Sequence, residues 1–389
     1  MTSGSGGPFP KVEPMPRAGQ AGPRFPVFLL AALALVSLPS PRASGQEVDY
    51  SRRFHVYTGS GEPATLDDIV RSMEDVDAVL VGEIHTDPVG HWVEAELFRR
   101  ALTQVRAGEE EGALRPLALS LEMFERDVQE ILDEYLHGLI TESQFKASSR
   151  PWEYYDQDYR PMVEAAKEKG VPVIAANAPR RYVNRVSRLG REALLDLPPR
   201  ARAFLPPLPY PQPTEAYRDE WTDLMSNMSM EDQCPVPEGE AGEGGEERPT
   251  SGMEMPPRSA DTVPEEGPPA HGEMPSHAMG NFMENGIQAQ TLWDASMAYA
   301  IATFLERNPG ALVLHMVGGF HVENFTGIPE KVHYYRPETR NLVVSMQMAE
   351  DINAFDPEEH AGKGDFVILT DESLDKNYER NCADQPGTG

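Results

Sequence analysis

Cysteine is nearly missing from this chain: Cys234 and Cys382 are the two present in 389 residues. They leave room for at most one disulfide, in an oxidising compartment, and no Cys-x-x-Cys-His run exists to attach haem covalently. Basic charge is scarce as well. Against 63 Asp and Glu stand 34 Lys and Arg, a formal net charge of −29, which argues against nucleic acid as a partner because phosphate backbones are held by Lys and Arg. Much of the negative charge lies in one segment, so it describes a solvated insert more than the folded body. Apolar runs of bilayer-spanning length are lacking too: Phe25 to Leu38 falls short of the roughly 18 to 20 residues required. Neither a Gly-x-Gly-x-x-Gly turn nor a P-loop occurs, and without a Gly-x-Ser-x-Gly elbow there is no visible serine nucleophile.

What is present begins with Lys11, Arg17 and Arg24, then the apolar run, then Ala43-Ser44-Gly45. That order reads as a secretory signal peptide over residues 1–45, so the expected location is periplasmic or extracellular. No Cys follows the run to take a lipid anchor. Residues 46–375 read as one domain. Within it Pro235 to Pro269, rich in Gly, Glu and Pro, cannot bury enough apolar surface to offset its ordering entropy, so residues 233–272 are expected to be a disordered insert. Residues 376–389 are a tail.

The domain reads as α/β: a mostly parallel sheet sandwiched by helices, with a small helical cap. Ala78 to Val81 is a short unbroken run of strand formers, and Leu117 to Leu121, Val173 to Ala176, Leu312 to Val317, Leu342 to Met346 and Phe366 to Leu369 repeat the pattern. Glu47 to Tyr57 suggests an edge strand. Asp87 suits a helix N-cap with Pro88 at the first position, and Trp92, Ala95, Phe98, Leu102 and Val105 recur at helical spacing. Thr65 to Asp68 resembles a capping box. Between Ile140 and Tyr159 the aromatics crowd without period, which reads as a helical excursion from the sheet.

Polar residues follow these strands directly: Glu83 and His85, Glu122, Asn177, and His321. If the strands are parallel neighbours, the groups meet in one crevice at the carboxyl ends. Two of the loops share a form, Gly82-Glu83-Ile84-His85 and Gly318-Gly319-Phe320-His321. Two imidazoles with two carboxylates are a usable ligand set for a divalent metal, able to polarise a carbonyl or acidify a water.

The same motifs, with Leu121-Glu122-Met123-Phe124-Glu125-Arg126-Asp127, Trp152 and Tyr159-Arg160-Pro161, Ala175-Ala176-Asn177-Ala178-Pro179, and Ala289-Gln290-Thr291-Leu292-Trp293-Asp294, run in order from about Asp77 to Asp365. Together they resemble the ChaN-like haem-binding uptake family of the Tiki superfamily. The resemblance implies an α/β sandwich, export and a link to haem or iron acquisition. It also implies kinship with Tiki-type metalloproteases and erythromycin esterases, with Glu83, His85, Glu122 and His321 as the carried-over site. The long acidic insert and the missing lipidation Cys depart from the family pattern.

Haem requires an axial ligand. His85 and His321 can serve, as can Tyr154, Tyr155 and Tyr159 in the aromatic stretch or the His and Met residues near the insert. A metal-dependent peptide or ester hydrolase using the same His and Glu residues is the alternative. A third reading is a copper-sequestering protein built on His271, Met274, His277, Met279 and Met283, since thioethers and imidazoles suit Cu(I). The sequence leaves a homo-oligomer open.

Overall fold

Six apolar runs become the six parallel strands of one sheet, and they do so because each is buried on both faces. In the computed structural model, which describes residues 48–105, 115–227 and 276–374, these are β3 (Ala78–Glu83), β4 (Leu117–Glu125), β5 (Val173–Asn177), β6 (Leu312–Gly318), β7 (Asn341–Ala349) and β8 (Phe366–Asp371). The Glu47 to Tyr57 lead-in supplies β1 (Phe54–Thr58), which with β2 (Pro63–Ala64) runs antiparallel at one margin. The strand order is β2-β1-β8-β7-β3-β6-β4-β5.

Alternation along the strands divides the core in two. Val79, Val81, Leu119, Leu121, Leu314, Met316, Val344 and Ile368 face one layer, which holds the Leu66–Ser72, Pro88–Arg100 and Arg160–Lys169 helices. Leu80, Ala118, Ala176, Val313, Val317 and Val343 face the other, covered by the long Ser276–Arg307 helix and by Ile328–Tyr335. Among the described residues no helix is long and apolar enough to cross a membrane.

Local signals set the helix boundaries. The Thr65 hydroxyl accepts from Asp68 N while the Asp68 carboxylate accepts from Thr65 N, closing the capping box. Asp87 caps Val89 N at 2.8 Å, and Gly170, at φ +61°, ends the Arg160–Lys169 helix. The Pro88 helix buries more than the residues its spacing picks out. Val89, Val93, Leu97 and Phe98 are buried together with His91 and Glu94, whereas Trp92, Ala95 and Leu102 are partly covered. After Arg100 the chain continues in a wider π turn, Ala101–Val105.

Glu122 does not follow its strand, as the apolar run suggests; β4 continues to Glu125. The continuation is irregular, because pairing with β5 skips from Leu121 to Glu125 and resumes opposite Asn177. After the Gln129–Leu136 helix, the excursion expected between Ile140 and Tyr159 takes the form of Glu142–Ser149 and Tyr155–Asp158. The expected signal segment, acidic insert, tail and both cysteines lie outside the described residues. So do His271 and Met274, and His277 and Met279 are described only as helix backbone.

Candidate functional site

The strand order brings the polar residues together. β6 lies between β3 and β4, and β5 flanks β4, so the ends carrying His85, His321, Glu122 and Asn177 form one continuous lip. They line a cavity of about 430 Å³, with Trp152 from the helical excursion and Gln290 and Trp293 from the long helix. This size and position are those of a ligand site at strand carboxyl ends.

Each imidazole is held by a buried carboxylate. His85 Nδ1 donates to Glu83 Oε1 at 2.7 Å, and His321 Nδ1 bonds Asp294 Oδ1. A carboxylate on Nδ1 fixes the tautomer and presents the other ring nitrogen, Nε2, for ligation or proton transfer. The His85 ring packs edge-on against Trp152, 4.9 Å between centroids. On the opposite side His321 Nε2 lies 3.7 Å from Glu122 Oε1 and 3.3 Å from the Gln290 amide nitrogen, which can donate to it when the ring is neutral. Glu122 is fixed in turn, accepting from Gly318 N at 2.8 Å.

Gly318 explains the repeated glycines. It pairs in register with Glu83, and a Cβ there would lie 2.8 Å from His85 Nε2. At Gly82 a Cβ would strike Val322 at 2.7 Å, so both glycines admit close approach between the β3 and β6 ends.

Glu83 lies behind the cavity wall. Its Oε1 also accepts from Tyr159 OH at 2.8 Å, and Oε2 pairs with His91 Nδ1 at 2.9 Å. His91 further contacts Glu94 at 3.2 Å, and its Nε2 donates to the His85 carbonyl at 3.1 Å. Burial opposes charge on Glu83, but His91 and His85 hold its carboxyl well below the usual range. Burial and the adjacent Glu83 charge push the Glu94 carboxyl well above it. For both site imidazoles burial acts against protonation, yet Glu83 raises the pKa of His85 and Asp294 that of His321. Burial also opposes charge on Asp294, which Lys331, 3.3 Å away, and His321 overcome.

Of the four expected metal ligands, His85, Glu122 and His321 line the cavity and Glu83 does not. Both Glu83 oxygens are engaged behind His85, making Glu83 a positioning group. Among the described residues the three donors close enough together to share one ion are Glu83, His91 and Glu94. Two of the expected cofactor ligands, Tyr155 and Tyr159, are buried: Tyr155 packs against Phe124 and Phe145, and the Tyr159 hydroxyl is spent on Glu83. Neither lines the cavity; Tyr154 is half-buried and also not on its wall. Asp294, His91, Glu94 and Lys331 were missed as site residues. The available signal for Asp294 was an acid set among the apolar residues Leu292, Ala295, Met297 and Ala298 of a helix.

Against known proteins, a family profile described as haem-binding uptake, Tiki superfamily, ChaN matches residues 69–332. The chain belongs to that family. Of solved structures, one titled as cofacial haem binding to ChaN of Campylobacter jejuni is 14% identical with a TM-score of 0.54, covering 82% of this chain and 97% of that one. At that identity the likeness establishes the shared α/β fold. The type III effector HopBA1 is 12% identical at TM-score 0.37, covering 79% and 93% of the two chains, too distant to carry an argument. A search of curated proteins gave no match.

Proposed function

We propose that this ChaN-family protein is exported and binds haem, in a system for haem or iron uptake, with the cavity between His85 and His321 as the binding site. The observation that carries the reading is the pair of carboxylate-anchored imidazoles on one cavity. Imidazole is a common axial ligand, and the donor set fits: His85 and His321 can offer Nε2 to iron, while Trp152 and Trp293 supply aromatic wall. Haem bound there would supply an iron centre. The chain's own part is to hold each ring by Nδ1, so that a ligand meets a fixed nitrogen. The signal sequence read at residues 1–45 supports export, and family membership supports haem as the ligand.

Titration of the purified mature protein with haem tests this. A saturable Soret shift is expected, and its absence at micromolar protein would end the reading.

A metal-dependent hydrolase using the same His and Glu residues is the second reading, with Glu122 Oε1 3.7 Å from His321 Nε2. It requires a stoichiometric metal in the purified protein and turnover of an ester or peptide panel; haem binding without either leaves the first reading alone.

A further inference from the structure

β5 is the terminal strand of the sheet, and a side chain closes its open side. The Gln129 amide donates to the Val173 carbonyl at 2.8 Å and accepts from Ala175 N at 2.7 Å, as the peptide of another strand would. Beside this junction, toward the last turns of the Ser276–Arg307 helix, is a second cavity of about 320 Å³. It shares no lining residue with the His85 and His321 cavity. Ile174, Ala300 and Phe304 give it apolar wall, and Arg126 and Arg307 give it two positive charges.

Arg126 is unlike the chain's other covered arginines. The Arg115 guanidinium donates to the carbonyls of Met73, Val76 and Gly310, and Arg191 to the Tyr210 carbonyl and Gln288. By contrast Arg126 Nη1 is buried and meets no hydrogen-bond acceptor among the described residues. Its guanidinium lies 5.3 Å from the centre of the Tyr299 ring, and the nearby charge is Arg307, of the same sign. Buried cations are ordinarily paired, because removal from water is costly without a compensating charge or acceptor. Asp133, the carboxylate on the cavity wall, is exposed and accepts from the Gln129 amide at 2.9 Å.

We infer that this cavity binds a small amphipathic carboxylate, its head held by the Arg126 and Arg307 guanidinium groups and its body laid against Ile174, Ala300 and Phe304. A guanidinium fork matches a carboxylate in shape and charge. A dianionic phosphate also fits the fork but would bring more negative charge beside Asp133, which favours the monoanion.

The test uses the full mature chain with hexanoate, hexyl phosphate and the neutral hexanol as probes, read by calorimetric titration and by thermal melting. Hexanoate should bind saturably at 1:1 and raise Tm with concentration, as a native-state ligand must; hexanol should do neither. Arg307→Ala, an exposed change at a helix end, should weaken hexanoate roughly tenfold or more, the loss of a charged hydrogen-bonded pair. It should leave a haem titration unchanged. Arg126→Met should abolish hexanoate binding and raise the ligand-free Tm, because an apolar side chain replaces a half-buried guanidinium whose Nη1 has no acceptor among the described residues. No saturable hexanoate binding, or binding indifferent to Arg307→Ala, overturns the site whether or not Arg126→Met folds. Tighter binding of hexyl phosphate than hexanoate overturns the assignment to carboxylates.

Discussion

Gly318→Ala isolates the geometry of the site from its chemistry, since it removes no polar group. Gly318 has φ −56° and ψ 138°, a conformation alanine adopts freely, so the backbone is not strained. The added Cβ would lie 2.8 Å from His85 Nε2 and 2.9 Å from Cε1, where carbon contacts favour about 3.5 Å or more. The ring must retreat by on the order of 1 Å. Its side chain is 43% exposed, so it can swing outward, at the expense of the 2.7 Å bond to Glu83. Losing that charge-assisted bond costs up to about 2 kcal/mol before solvent compensates the exposed partner. Replacing Gly by Ala returns roughly 0.4–1 kcal/mol through the unfolded chain. The net loss should be about 1 kcal/mol, a few degrees in Tm. Haem affinity should fall roughly tenfold or more, because loss of the group orienting a ligand commonly costs that much. Thermal melting and Soret titration measure the two effects separately. A variant that binds haem as the parent does would refute the idea that the Gly318 gap positions His85.

Other substitutions probe the supports. His315 is fully buried beside Ser120, and burial with the nearby His321 pushes its pKa down to about 3. From about pH 6.5 down to that value the unfolded chain takes a proton that the native chain refuses, so this group lowers stability as pH falls. The gap in urea stability between parent and His315→Gln should therefore shrink by on the order of 2 kcal/mol from pH 7 to pH 5, and a constant gap would contradict the burial account. Asp294→Asn leaves the buried Lys331 without its anion and frees His321; a loss of about 3–5 kcal/mol is expected by chemical denaturation, and a neutral result would argue against the pairing. Gln129→Ala opens the β5 edge, so stability should fall by about 1–2 kcal/mol and light scattering should report concentration-dependent association.

Much of the fold was legible because buried parallel strands are written as short apolar runs: all six such runs became strands, and Asp87 and Thr65 marked their helix starts as expected. The meeting of His85, His321 and Glu122 was legible only conditionally, since no local pattern states that β6 inserts between β3 and β4. Pairing of distant segments also decided which Glu83 oxygen faces what. Glu83 looked like a ligand because it precedes His85 at a strand end, but its strand continues through it and turns its carboxylate toward His91 and Tyr159. His91 and Glu94 on the Pro88 helix stand out less, because apolar spacing does not pick out polar residues. The interior admits them because His91 pairs with both Glu83 and Glu94. The aromatic stretch contributed Trp152 to the cavity instead of its tyrosines, a choice made by the irregular turn before Tyr155–Asp158 and invisible to composition.

The central claim is that the two anchored imidazoles make one haem site, and the absorption spectrum of haem-loaded protein tests it most directly. His85→Ala, His321→Ala, the double variant and a His137→Ala control should be titrated with haem side by side. His137 is exposed, and among the described residues its ring bonds only to the Asp133 carbonyl at the end of its helix, so its removal should change nothing. Either single change at the site should lower affinity nearly as far as the double change, with a shifted Soret band, because a shared ligand is lost once. Additive, small effects, or an unaltered Soret complex in the double variant, would contradict the claim.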